Sequence, residues 1–151
     1  GGYATLMSLA KTPDLYRCGV AALPVSDVAM QLTSASTDFA GSEEAVLFWR
    51  KMIGAEGSSK SFSEVARAVS PAYMADRIKA PVFLIAGEAD RRTPLEQTRA
   101  MQRALEHAGN APRMMIKIGE GHGFGRVENR IDQYTQMLQF FDEHIGGGRT
   151  Q

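Results

Sequence analysis

Three short stretches of the chain are apolar almost without interruption, and turn-forming or polar residues follow each of them. They are residues 18–25 (CGVAALPV), 80–87 (APVFLIAG) and 113–119 (RMMIKIG). Continuous apolar runs of this length, rich in β-branched residues, are typical of strands buried on both faces of a sheet. The pattern therefore predicts three buried strands.

Amphipathic segments separate these runs and predict helices. The first helix spans residues 2–11 and ends at Thr12-Pro13. A second spans residues 43–54 with Gly54 as its stop, and its inward positions are Val46, Leu47, Trp49 and Ile53. Residues 63–71 predict a short helix ending at a proline, whereas the small and polar residues 26–42 predict irregular structure.

Two helix starts carry sequence signals. Thr93 is expected to cap a helix whose first position is Pro94, with Glu96 completing a capping box. That helix is expected to reach about residue 108, with Gly109 after it. Asn129 is expected to cap the last helix, and residues 147–151 are expected to form a flexible tail.

The resulting order is helix, strand, helical excursion, strand, helix, strand, helix. Buried strands that alternate with helices predict an α/β fold with a parallel sheet of about three strands flanked by helices. Residues 1–146 are expected to form this one domain. The chain begins on a helix where a preceding strand is expected, which suggests that this is one half of a larger sheet.

Charge and composition narrow the function classes. Basic and acidic residues number 17 each and give a formal net charge of +0, without a basic stripe that would favour nucleic acid. No apolar run approaches the roughly 18 residues of a membrane span. Cys18 is the one cysteine, so no intrachain disulfide is expected. Localisation stays open between cytoplasm and periplasm.

Candidate chemistry lies in the loops after the second and third predicted strands. Asp90 lies in the first loop and His122 in the second, and parallel neighbours place both loops at one edge of the sheet. An Asp beside a His is the orienting pair of nucleophilic hydrolysis. The alternatives are a solvated loop histidine, Glu88 as the acid, or a metal site.

The metal alternative is weak. Its ligands would be His122 with Glu88, Asp90 and Glu120, but the sequence lacks the His-x-x-x-His or paired-Cys spacing of such sites. No metal and no cofactor is expected. Gly121-x-Gly123-x-Gly125 does not have the spacing of a dinucleotide-binding fingerprint.

Nearly the whole chain resembles the C-terminal part of the catalytic domain of prolyl oligopeptidase family serine peptidases, which have the α/β-hydrolase fold. The motifs are GGYATLMSLAKTPDLYRCGVA, FWRKMIG, AVSPAYMADRIKAPVFLIAGEADRRTP and GEGHGFGRVENRIDQYTQMLQFFDEHI. The resemblance implies Asp90 as the triad acid and His122 as the base. Gly1 and Gly2 match the glycines after the nucleophile in Gly-x-Ser-x-Gly-Gly-Tyr. Thr93 stands where the family commonly has Val.

The implied nucleophile would be a serine two positions before Gly1, because the chain itself contains no Gly-x-Ser-x-Gly. The resemblance thus implies a serine peptidase acting on short peptide substrates, with a propeller domain upstream, while the 151-residue chain alone is expected to be inactive. Phe48 and Trp49 are expected in the core rather than at the substrate. The alternatives are an esterase of the same fold, or a non-catalytic fragment that forms homo-oligomers through the strand edge between Cys18 and Val25.

Overall fold

The computed structural model describes residues 1–146, and the predicted tail, 147–151, lies outside the described residues. Three strands, six α-helices and one 3₁₀ helix make up the described chain. In chain order they are α1 (Gly2–Lys11), β1 (Gly19–Ala22), α2 (Val28–Thr33), α3 (Glu43–Met52), α4 (Phe62–Ala68), the 3₁₀ helix (Pro71–Arg77), β2 (Val82–Gly87), α5 (Leu95–His107), β3 (Arg113–Lys117) and α6 (Val127–Ile145).

The strands form one parallel sheet in the order β1-β2-β3. Ala21 pairs with Leu84, and Ile85 pairs with Met115. All six residues of β2 are buried, as expected for a central strand covered on both faces. The predicted α/β fold with three parallel strands is therefore confirmed.

Alternate side chains of β2 define two halves of the core. Leu84 contributes to a cluster with Leu6 and Leu9 of α1 and with Met101 and Leu105 of α5. Phe83 and Ile85 point to the other face and pack with Met115, Phe124 and Phe140, the last from α6. Helices consequently cover both faces of the sheet. The carboxyl ends of β2 and β3 lie side by side at one end of the sheet.

The segment between β1 and β2 is more regular than the sequence predicts. Residues 26–42 contain α2, whose first turn is capped by the Asp27 side chain accepting from the Met30 N–H. The sequence pattern also does not predict the 3₁₀ helix, Pro71–Arg77, which comes after α4. Both elements are too short to show a clear helical period, so their hydrogen-bonded turns escape a pattern-based prediction.

The inward face predicted for α3 is partly wrong. Leu47, predicted to face inward, is 65 % exposed, and Phe48, expected in the core, is 58 % exposed; no residue of α3 is fully buried. Trp49 is half-buried and contacts the rings of Phe39 and Phe48 edge to face. Helix α3 therefore lies on the domain as an outer layer rather than inside the core.

Within residues 1–146, the helices are too short or too polar to cross a bilayer.

Candidate active site

Asp90 and His122 lie in the loops that follow β2 and β3. Because the two strands are parallel neighbours, their carboxyl ends bring both loops to the same sheet edge. His122 Nδ1 lies 2.9 Å from Asp90 Oδ2, although 32 positions separate the residues in sequence. The structure thus brings together the two side chains that the sequence proposed as base and acid.

Asp90 is 4 % exposed, and both oxygens of its carboxylate accept hydrogen bonds. Oδ1 accepts from the backbone N–H groups of Arg92 at 2.8 Å and Thr93 at 2.9 Å. Oδ2 accepts from the Thr93 hydroxyl at 2.9 Å and from His122. A buried carboxylate needs such partners to offset its lost hydration, and the tight turn after β2 supplies them.

The tautomer of neutral His122 follows from this contact. An ionised carboxylate only accepts hydrogen bonds, so Nδ1 carries the ring proton and its N–H donates a hydrogen bond to Asp90 Oδ2. Nε2 is then the basic nitrogen of the ring. The His122 side chain is 35 % exposed and lines a pocket, so the ring is partly open to a proton donor from outside.

Main-chain contact holds the two loops against each other. The Ala89 N–H donates to Glu120 O at 2.9 Å. Gly87, the last residue of β2, leaves no room for a side chain, because a Cβ there would lie 2.5 Å from Gly121 O and closer still to Glu120 O. A glycine at this position is therefore needed for the approach of the acid loop to the histidine loop.

A pocket of about 200 Å³ adjoins the histidine. Its wall includes Gly1, Tyr3, Phe39, Trp49 and His122. Burial raises the pKa of the Tyr3 phenol, whose hydroxyl donates to Val69 O at 2.8 Å. Three aromatic side chains beside a basic imidazole create a site for an apolar group next to a proton acceptor.

Gly1 and Gly2, proposed from the sequence as glycines that follow a nucleophile, lie at this same pocket. Gly2 is buried, and a Cβ on it would lie 2.5 Å from Ala22 O. The start of α1 can therefore pack against the end of β1 only because residue 2 has no side chain.

Thr93, predicted from the sequence to cap a helix, lies at the site beside Asp90 and His122. The predicted capping box is wrong: α5 begins at Leu95, Pro94 is its N-cap, and no side chain caps it. The Thr93 hydroxyl instead contacts Asp90 Oδ2, His122 Nδ1 at 3.1 Å and Leu23 O at 3.2 Å. The signal available in the sequence was a hydroxyl three positions after the acid.

Leu23 presents its carbonyl to Thr93 from an unusual backbone conformation. Its φ is +51°, and it is the one non-glycine residue with positive φ among the described residues. Such a conformation is unfavourable for a branched side chain and ends β1 abruptly. It also turns the chain toward the Asp90 loop.

The other predicted candidates lie apart from the Asp–His pair. Glu88 is exposed and its carboxylate accepts from the Gly119 N–H at 3.2 Å rather than from His122. Glu120 is buried, and its carboxylate contacts the start of α6. Over residues 1–146, no three His, Cys, Asp or Glu side chains come together in an arrangement suited to a metal ion.

A parallel sheet with helices on both faces, and an Asp–His pair beyond neighbouring strand ends, is the arrangement of α/β hydrolases. The sequence model of the prolyl oligopeptidase family, Peptidase_S9, matches residues 1–148, so the chain belongs to this family.

Relatives of the chain are peptidases by name. Dipeptidyl peptidase family member 6 of Caenorhabditis elegans is 27 % identical over 147 residues, covering 97 % of this chain and 20 % of that protein. Dipeptidyl aminopeptidase BIII of Pseudoxanthomonas mexicana is 30 % identical over 155 residues, covering 100 % of this chain and 21 % of its own length. The chain thus spans about a fifth of the length of these relatives.

A solved structure gives the same picture for the fold. Acylaminoacyl peptidase of Pyrococcus horikoshii superposes with a TM-score of 0.78 at 28 % sequence identity. The match covers 95 % of this chain and 22 % of that one.

Proposed function

We propose that residues 1–151 are part of a serine peptidase that removes N-terminal groups or short units from peptides. In this proposal His122 is the general base and Asp90 orients it. The observation that supports it most is the 2.9 Å contact of His122 Nδ1 with a buried, fully hydrogen-bonded Asp90, beside a pocket that also contains Gly1. The peptidase names of the family relatives support it further.

The nucleophile in this proposal is a serine two positions before Gly1 in a longer parent protein, as the family motif implies. Its Oγ attacks the scissile carbonyl while His122 Nε2 accepts the hydroxyl proton. The same proton then passes to the leaving amine as the C–N bond breaks. Water hydrolyses the resulting acyl-enzyme by the same route, with His122 again as the base. Asp90 stabilises the imidazolium at each stage.

The pocket suggests which substrates fit. Tyr3, Phe39 and Trp49 offer apolar surface next to His122, so an apolar side chain at the cleaved bond is favoured. The names of the relatives point to dipeptidyl and acylaminoacyl peptidase activities. We also propose that a propeller domain precedes this chain in the parent protein, as the family resemblance implies.

The test compares the parent protein with two variants, His122→Ala and Asp90→Asn. We expect a fluorophosphonate probe to label the parent and peptide p-nitroanilides to be hydrolysed, with both signals lost in His122→Ala. Hydrolysis of activated esters without hydrolysis of the anilides would favour an esterase and contradict the peptidase proposal.

Without the proposed serine, the 151-residue chain has a base and an acid but no attacking group. We therefore expect no turnover of anilides or activated esters by this chain alone. An ester burst that disappears in His122→Ala would contradict this expectation.

We also propose that the isolated chain self-associates through the edge of β1. In residues 1–146, β1 pairs with β2 on one side only, and an apolar strand edge of this kind favours pairing with another chain. Exposed Ile131, Tyr134 and Leu138 of α6 add apolar surface. Sedimentation velocity of the chain should show dimers or larger species that increase with concentration; a monomer at every concentration would contradict this.

A further inference from the structure

Glu120 is a buried carboxylate that the proposed mechanism leaves without a task. It directly follows Gly119, at the start of the loop that carries His122, and is 4 % exposed. Carboxylates are rarely buried to this extent unless they are paired or fully hydrogen-bonded. Its position two residues before the base raises the question of what it holds.

The side chain of Glu120 reaches across the loop to the beginning of α6. Oε2 accepts from the Gly125 N–H at 2.6 Å, and Oε1 accepts from the Arg126 N–H at 3.2 Å. Oε1 also accepts from Asn129 Nδ2 at 2.6 Å. Asn129 therefore does not cap α6 as the sequence predicts: Arg126 is the N-cap, without a side-chain cap bond, and Glu120 supplies acceptors at that end.

The main chain of Glu120 reaches in the opposite direction. Its carbonyl accepts from Ala89, one residue before Asp90. One residue thus contacts the acid loop through its backbone and the start of α6 through its side chain. Both ends of the segment between Glu120 and Arg126 are fastened, and His122 lies within that segment.

The segment has little rigidity of its own. Residues 121, 123 and 125 are glycines, and Gly123 has a φ of +116°. Within it, the Gly123 N–H donates to Gly121 O at 2.9 Å. Phe124 is buried in the core with Phe83 and Phe140, which anchors the segment at one point after His122. Glycines lose the most conformational freedom on ordering, so a loop this rich in them needs external fastening to hold one geometry.

We propose that Glu120 is a positioning residue for His122: its carboxylate closes the loop onto α6 and thereby keeps His122 Nδ1 on Asp90 Oδ2. The proposal rests on the role of His122 in the proposed function. Glu120 does not line the pocket beside His122 and acts through the loop alone.

The protonation state of Glu120 agrees with this task. The hydrogen bond from Asn129, together with those from the Gly125 and Arg126 N–H groups and the charge of Arg126, holds the pKa of Glu120 below its usual value despite burial. The carboxylate is therefore ionised at neutral pH and offers acceptors only, as its N–H partners require.

The test uses Glu120→Gln in the parent protein, with Glu128→Gln as the matched control. Glutamine keeps the shape but turns an NH₂ group toward an N–H donor, so one partner is left unsatisfied. Glu128 is exposed in the first turn of α6, and its substitution makes the same change of charge a few residues away. We expect kcat for a peptide anilide to fall about 100-fold in Glu120→Gln with KM changed less than about twofold, and both to be unchanged in the control.

A readout independent of turnover separates this proposal from the proposed function. In protein labelled with ¹⁵N-histidine, the Nδ1–H donated to a carboxylate gives a low-field proton resonance, assigned by its loss in His122→Ala. We expect Glu120→Gln to lose this resonance while unfolding remains cooperative, and Glu128→Gln to keep it. If the wild-type parent protein has no peptidase activity but Glu120→Gln still loses the resonance, the proposed function is contradicted and the positioning role of Glu120 is upheld.

Asn129→Ala covers the case in which Glu120→Gln does not fold. It removes one of the three hydrogen bonds to the carboxylate and leaves its charge in place. We expect a several-fold loss of kcat and a shifted or broadened His122 resonance. Wild-type kcat with an unchanged resonance, in either variant, would overturn the proposal.

Discussion

The loops at the carboxyl ends of β2 and β3 differ in their packing from the excursion, residues 26–70, which lies between β1 and β2. At these strand ends, Asp90 and Glu120 are buried, and each carboxylate accepts hydrogen bonds from several donors. In the excursion, α3 buries no residue fully and exposes Leu47 and Phe48. Yet both regions contribute to the same pocket, since Trp49 and His122 each line it.

This difference separates two demands on an active site. Proton transfer needs the acid and the base at a defined distance, which strand ends and backbone hydrogen bonds provide. Recognition of a substrate side chain needs apolar surface at the pocket, which Phe39 and Trp49 of the excursion provide. We therefore expect changes at the sheet edge to affect kcat or stability and changes in the excursion to affect KM.

The largest effect is expected from Asp90→Asn in the parent protein. An asparagine amide can donate as well as accept, so His122 is no longer held with its proton on Nδ1. We expect kcat/KM for a peptide anilide to fall about 10⁴-fold with the fold intact, as in the general case of such triads. Steady-state kinetics and circular dichroism measure the two parts, and a loss below about tenfold would contradict the assigned role.

Core and outer layer should differ next in stability. Leu84 is 0 % exposed in β2, so Leu84→Ala removes buried methyl groups and leaves a cavity. We expect it to lower the free energy of unfolding by about 2–5 kcal/mol. Leu47→Ala in α3 makes the same substitution at an exposed position and should cost less than about 0.5 kcal/mol. Urea unfolding of both variants checks the difference, and equal costs would contradict the description of α3 as an outer layer.

Two neighbouring aromatic residues test the pocket wall. Trp49 lines the pocket beside His122, whereas Phe48 is exposed outside it. In the parent protein, Trp49→Ala should raise KM for substrates with an apolar side chain about tenfold while kcat changes little. Phe48→Ala should leave both constants near wild type. A larger change in kcat than in KM for Trp49→Ala would show that the excursion also supports the chemistry.

The smallest effect is expected from the capping box of α4. Hydrogen bonds from the Ser61 hydroxyl and backbone N–H hold the pKa of Glu64 below its ordinary value of about 4.3. A lowered pKa in the folded state gives a stabilisation that is present above pH 4.3 and is lost as pH falls through the lower, folded value.

The measurement is the free energy of unfolding of wild type and Glu64→Gln between pH 7 and pH 3. Wild type should be slightly more stable at pH 7, and the difference between the two curves should shrink as pH falls below 4.3. A difference that stays constant from pH 7 to pH 3 would mean that the charge of Glu64 is not its source.

The sequence predicted the sheet because buried strands have a strong signal. Leu84 and Ile85 lie in an unbroken apolar run of the length of one strand, which is typical of a strand covered on both faces. The strand predicted between Cys18 and Val25 is shorter in the structure, Gly19–Ala22. The positive φ of Leu23 ends the strand. Leucine rarely adopts this conformation, so the sequence does not indicate it.

The candidate site was predictable in part for a similar reason. Asp90 and His122 could be paired because topology alone brings parallel strand ends together. The roles of Thr93 and Asn129 could not, since each is a good helix-capping residue by type. In the folded chain each side chain meets a buried carboxylate, Asp90 or Glu120, which attracts a donor more strongly than a helix end does.

Gly87 has a consequence for how such a protein could be silenced. A single methyl group there would push against Glu120 O and Gly121 O and separate the two loops as a spacer does. A descendant carrying alanine at this position would keep Asp90, His122, Thr93 and Glu120, yet lack their geometry. Under the proposed function, inspection of its acid and base would describe an enzyme, and one hydrogen atom on Cα exchanged for a methyl group would have made it a pseudoenzyme.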